Sequence, residues 1–115
     1  MKRRRPCRGD IWTVNLDPTK GHEQAGDRPA VVLSVDRFNH GPAGLVIVVP
    51  LTSTQRDLPI HIKIEPPEGG LTRTSFAMCE MVRSISMARL DAYWGRLSGQ
   101  SLASVSECVR ILLGL

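Results

Sequence analysis

Four side chains carry the chemistry most visible in this sequence: His22, Arg28, Thr52 and Glu80. A guanidinium stays charged and presents a planar fork of donors that suits phosphate oxygens. Arg28 offers one, and Pro29 behind it restricts it to extended backbone. The alternative is a surface ion pair with Asp27 or Glu23. Thr52 follows Pro50 at the end of an apolar run, and its hydroxyl can donate to an anionic oxygen. It also suits a strand simply by being β-branched. His22 lies in a polar stretch, and histidine titrates near neutrality, so it can serve as acid, base or phosphate donor. An exposed loop histidine with no role is the other reading. Glu80 stands between Cys79 and Met81 in an otherwise apolar run. Burying a carboxylate there is costly unless it is paired. Either it acts as a base or it points outward to pair with Arg83 or Arg73.

The elements that must position these groups read as mostly strand. Ile11 to Leu16 alternates apolar with mixed residues, as a half-buried strand does. Asp17-Pro18 closes it. Thr19 to Pro29 is then polar or small throughout, which predicts a long and functional loop. Ala30 to Val35 and Leu45 to Val49 are continuous and rich in β-branched residues, as strands buried on both faces are. Between them, residues 36 to 44 read as a second loop, and Leu51 to Thr54 briefly continue the second strand past Pro50. Ile60 to Ile64 alternates, residues 66 to 70 form a turn, Ser75 to Arg83 reads as one strand, and Tyr93 to Leu97 as a last short one. From Ser98 the period changes. Leu102, Val105, Val109 and Leu112 recur at helical spacing with Cys108 beside them, which predicts a helix over 100–113 closed by Gly114. Short strands, one terminal helix and no βαβ alternation point to a small bent sheet or barrel.

Composition sets the frame. At 115 residues the chain fits one domain. A chain of this size buries roughly 65% of its unfolded surface and needs no staples. Cys7, Cys79 and Cys108 are odd in number and widely spaced, so neither a disulfide framework nor a zinc site is expected. No apolar run is long enough for a membrane helix. The basic start, MKRRRPCRGD, has no apolar segment behind it, so a cytoplasmic protein with a flexible tail over residues 1–7 is expected. The formal net charge is +4, which favours polyanionic partners through phosphate contacts.

A longer pattern narrows the class. Arg8-Gly9-Asp10-Ile11-Trp12 is followed in register by Leu16-Asp17-Pro18, Gly21-His22-Glu23-Gln24 and Gly26-Asp27-Arg28-Pro29-Ala30. Pro50-Leu51-Thr52-Ser53, Glu80 and Arg83-Ser84-Ile85 extend it. In these positions the chain resembles the MazF/PemK family of toxin–antitoxin endoribonucleases, from Arg8 to the terminal helix. The resemblance implies an SH3-like β-barrel with a C-terminal helix, assembled as a homodimer. It implies metal-independent cutting of single-stranded RNA such as mRNA, and silencing by a cognate antitoxin that covers the RNA groove. No cofactor and no membrane enter this expectation.

The resemblance also assigns roles. Arg28 and Thr52 match the catalytic residues of their motifs, His22 matches an active-site histidine of PemK-type members, and Glu80 matches their acidic base. Glu23 is expected to orient Arg28 or anchor its loop. Ser53, Gln55, Arg56, Arg73 and Arg83 are expected to touch RNA, with Trp12 and Phe38 as candidates for base stacking. Trp12 fits the core or a dimer interface equally well. One position departs: PemK-type members place an arginine acid two residues before the carboxylate, and this chain has Met78. The acid role then falls to His22 or Arg28, or cutting is slower. Gyrase inhibition by a non-catalytic toxin of the same fold is the alternative function, and a barrel that binds RNA without cutting it is a third.

Overall fold

The computed structural model describes residues 4–16 and 27–115. Seven strands form one antiparallel, strongly bent sheet: β1 (Asp10–Asn15), β2 (Asp27–Val32), β3 (Leu45–Thr52), β4 (His61–Ile64), β5 (Ser75–Met78), β6 (Arg83–Ser86) and β7 (Leu90–Arg96). Their order is β4-β5-β3-β2-β1-β7, and β6 pairs with the first half of β3. The expected mostly β architecture with a terminal helix is present. The sheet is not closed, because its end strands β4 and β7 do not pair with each other. Two α-helices, α1 (Asp36–Asn39) and α2 (Gly99–Leu113), and three 3-10 turns at Glu68–Gly70, Cys79–Met81 and Met87–Arg89 join the strands among the described residues. No helix among them is long and apolar enough to cross a membrane.

The continuous apolar runs make a sheet buried on both faces. Successive side chains alternate faces, so Ile11, Val31 and Val49 join one cluster while Trp12, Val32 and Val48 join another. Helix α2 seals the first cluster with Val105 and Val109. Leu112, expected on that buried face, is exposed instead, as are Ile111 and Leu113 beside it. Ser98 caps α2 by accepting a bond from the Ser101 N–H at 3.1 Å, and Gly114 ends it in the left-handed region.

Several boundaries differ from the sequence reading: β2 begins at Asp27, inside the loop expected to reach Pro29, β7 begins at Leu90 rather than Tyr93, and three further differences have a local reason. β2 stops at Val32 rather than Val35. There the Leu33 and Ser34 N–H groups share the Ile47 carbonyl, the Ser34 hydroxyl accepts from the Ile47 N–H and Asn39 Nδ2 donates to the Ser34 carbonyl, so the regular ladder breaks. The same bonds organise the expected loop 36–44 around α1. The run 75–83 is broken by a 3-10 turn over Cys79–Met81. Between Leu51↔Ala77 and Val48↔Arg83, β3 supplies two residues and the facing chain five, so the facing chain must bulge. Pro50, one of the two, has no N–H to give a ladder. Residues 4–7, expected as part of a flexible tail, pack on the body. Pro6 is buried, and the Arg4 guanidinium lies 3.7 Å from the Tyr93 ring centroid.

Candidate active site

Register builds the site. Ala30 pairs with Pro50 across β2 and β3. Extending that antiparallel pairing by two residues sets Arg28 across from Thr52, on the same face of the sheet. On its other side Thr52 pairs with Phe76 of β5, and Arg28 pairs with Val14 of β1. Both polar residues line one groove of about 500 Å³, together with Ser53, Arg73, Ser75 and Trp94. Arg28 is half-buried, and Thr52 is 8% exposed. The Thr52 Oγ1 accepts a hydrogen bond from the Thr54 N–H at 3.2 Å. That bond uses a lone pair, so the hydroxyl proton is left to donate. A guanidinium and a hydroxyl donor side by side in a concave, half-dry setting are suited to a crowded phosphate oxyanion.

Ser53 and Arg73, expected to touch RNA, line this groove and are exposed. Gln55 and Arg56 lie in the exposed stretch after it, where Gln55 Nε2 donates to Asp57 Oδ1 at 2.6 Å. Arg83 stands elsewhere, on β6 opposite Val48. Glu80 is also outside the groove. Strand β5 carries the chain about 10 Å from Ser75, at the groove, to Met78. Glu80 follows in the 3-10 turn, where its Oε2 lies 2.8 Å from His61 Nε2. Its described partner is therefore His61 and not Arg83 or Arg73. His22 and Glu23 lie outside the described residues.

The aromatic expectations shift. Trp12 is 3% exposed and packs edge-on against Tyr93 with centroids 5.8 Å apart, so it belongs to the core. Its Nε1–H donates to buried Asp10, whose carboxylate also accepts from the Cys7 N–H at 2.8 Å. That gives the Arg-Gly-Asp stretch a structural duty. Phe38 lies on α1 and does not line the groove. Trp94 does line it and was missed by sequence reasoning. It is 38% exposed on β7, and its indole N–H donates to the Thr13 hydroxyl. No sequence signal marked it, because its outward place follows only from the β7 register.

Comparisons with known proteins agree with this geometry. Residues 7–113 match the family described as PemK-like, MazF-like toxin of type II toxin-antitoxin system. Endoribonuclease MazF9 of Mycobacterium tuberculosis is 38% identical over 94% of this chain and 96% of its own length. Endoribonuclease toxin MazF of Escherichia coli is 34% identical over 95% of each chain. Among solved structures, MazF of Deinococcus radiodurans aligns with a TM-score of 0.88 at 28% identity, covering 98% of this chain and 100% of its own. A MazE–MazF structure from the same organism aligns at 0.81 and 28%, covering 98% and 99%. Matched by the family model over residues 7–113 and by curated relatives along nearly its whole length, this chain belongs to the PemK-like, MazF-like toxins of type II toxin–antitoxin systems.

Proposed function

We propose that this toxin is a metal-independent endoribonuclease that cuts single-stranded mRNA in the cytoplasm, and that the groove holding Arg28 and Thr52 is where it cuts. The observation that carries this reading is that both side chains line one groove. In the reaction the ribose 2′-oxygen attacks the adjacent phosphorus and the bond from phosphorus to the 5′-oxygen breaks. The 2′-hydroxyl proton passes to a base and the 5′-oxygen receives a proton from an acid. The products are a 2′,3′-cyclic phosphate and a 5′-hydroxyl. Arg28 and Thr52 donate to the phosphorane oxygens, where one such donor contributes on the order of 3 kcal/mol. His22 supplies proton transfer from the preceding loop, and Glu23 anchors that loop or orients Arg28. Met78 cannot act as an acid, which leaves that role to His22 or Arg28. Glu80 can serve as the base only where a second protomer brings it to the groove, since within one chain it lies at the far end of β5. Ser53, Arg73 and Trp94 hold the RNA strand, with Gln55 and Arg56 beside them and Arg83 reached only by a longer segment.

The partners follow from relatives and from surface. The Deinococcus radiodurans relative is named in a MazE–MazF structure. We place a cognate antitoxin over the groove of this chain and a second copy of the toxin beside it. The apolar end of α2 supports an interface, with Ile111 63%, Leu113 58% and Leu115 76% exposed. The relatives named above are endoribonucleases, and none is named for gyrase. One experiment separates the readings. The protein is incubated in EDTA with a mixed-sequence RNA and with a copy carrying 2′-deoxyribose at each mapped cut. Cutting of the first alone, leaving cyclic phosphate ends, is expected. Intact RNA together with inhibited supercoiling by gyrase would instead establish the non-catalytic alternative.

A further inference from the structure

Outside the groove, three side chains with metal-binding atoms converge. Cys7 comes from the segment before β1, while Asp36 opens α1 and His40 follows it. Each offers one donor atom, and the three atoms lie within 4.8 Å of one another. Spacing of four residues puts Asp36 and His40 on one side of the helical turn. Backbone bonds hold the group together: the Cys7 N–H donates to Asp10 at 2.8 Å, and the Arg8 N–H donates to Asp36 Oδ1 at 2.6 Å. The His40 Nε2 lies 3.9 Å from Cys7 Sγ and 2.7 Å from the Pro6 carbonyl oxygen.

We propose that Cys7, Asp36 and His40 form a zinc-binding site that clasps the N-terminal segment to α1, apart from RNA cutting. The donor set selects the ion. One sulfur, one imidazole nitrogen and one carboxylate suit zinc, whereas magnesium and calcium favour oxygen alone. Tetrahedral zinc, with bonds of about 2.3 Å to sulfur and about 2.0 Å to nitrogen, separates these two atoms by about 3.5 Å. The observed 3.9 Å needs a shift of only a few tenths. Zinc takes the ring through Nε2, the nitrogen that faces Cys7 Sγ, and the bond to the Pro6 carbonyl is given up. Water fills the fourth position. Burial, and then the Asp36 and Asp10 carboxylates, push the Cys7 thiol up. A bound cation opposes that shift, as a ligating cysteine is a thiolate. Paired-cysteine spacing, on which zinc was set aside from sequence, does not detect donors at positions 7, 36 and 40.

The test uses the untagged full chain and cobalt(II) as a spectroscopic stand-in. One equivalent should produce a tetrahedral spectrum with a thiolate-to-cobalt charge-transfer band, and zinc should displace it. Free zinc at about one hundred times Kd should raise Tm by roughly 5–10 °C. Cys7→Ser should abolish the charge-transfer band. Asp36→Asn, which can still accept from the Arg8 N–H, should weaken binding at least about tenfold. RNA cutting in EDTA should be unchanged in both variants. The proposal is overturned if no saturable binding occurs at submillimolar ion. It is equally overturned if both variants bind as the parent does, because other donors such as His61 and Glu80 then hold the ion.

Discussion

At the scale of residues, the account rests on which groups share the groove. Arg28 and Thr52 were legible in sequence because each sits in a short motif of the resembled family, and both line the same groove. Trp94 was not legible. Nothing in its neighbourhood separates a core tryptophan from an exposed one until the β7 register is known, and Trp12 took the core place instead. An exposed indole edging a phosphate-directed groove is a platform for a base, worth about 1–3 kcal/mol per stacked base. Trp94→Ala should therefore raise KM for a short RNA roughly tenfold or more and leave kcat nearly intact. Steady-state kinetics on one mapped oligonucleotide decides this. A fall in kcat at constant KM would mean that Trp94 shapes the reacting geometry and not binding. The element that carries Glu80 was also not legible. Its apolar neighbours suggested a strand position, but the chain turns there and exposes it.

Among elements, the alternating and continuous runs located nearly every strand, because period-2 burial is a property of sequence. Their ends were less readable. β2 ends where the Ser34 hydroxyl accepts from the Ile47 N–H and Asn39 Nδ2 donates to the Ser34 carbonyl, and β5 ends where Pro50 interrupts pairing, contacts that strand periodicity does not display. The groove wall also depends on a close approach that sequence does not display. Gly70 has φ +75°, and a Cβ there would lie 2.2 Å from the Trp94 carbonyl oxygen. Gly70→Ala must force β7 away from the turn at residues 68–70. A cost of roughly 2–5 kcal/mol in chemical denaturation is expected, with weakened RNA binding as Trp94 moves. Gly99→Ala, whose added Cβ meets nothing within 4 Å, should change stability by no more than about 0.5 kcal/mol. Equal effects of the two would show that the close approach does not hold the groove. Ser98→Ala tests the other boundary that sequence did reveal. Loss of its cap should cost about 1 kcal/mol, read as a lower urea midpoint at unchanged slope.

For the whole molecule, the net charge of +4 and the groove-lining Arg28 and Arg73 predict RNA binding that weakens with salt. Arg73→Ala should make the plot of log affinity against log salt shallower by about 0.7, as expected when one phosphate of a single strand is no longer neutralised by the protein. An unchanged slope would place Arg73 off the RNA path. Family and fold could be read from sequence because the motifs run through almost the whole chain. Assembly could not, since Glu80 and the apolar end of α2 take on meaning only beside a second molecule. The central claim is that Arg28 and Thr52 together stabilise the reacting phosphate without a metal. Single-turnover cutting of one mapped RNA in EDTA tests it most directly, with both single variants and the double variant compared with the parent. Each of Arg28→Ala and Thr52→Ala should slow the chemical step by about 10²–10³-fold with RNA binding retained. A double variant that still cuts within tenfold of the parent would contradict the account.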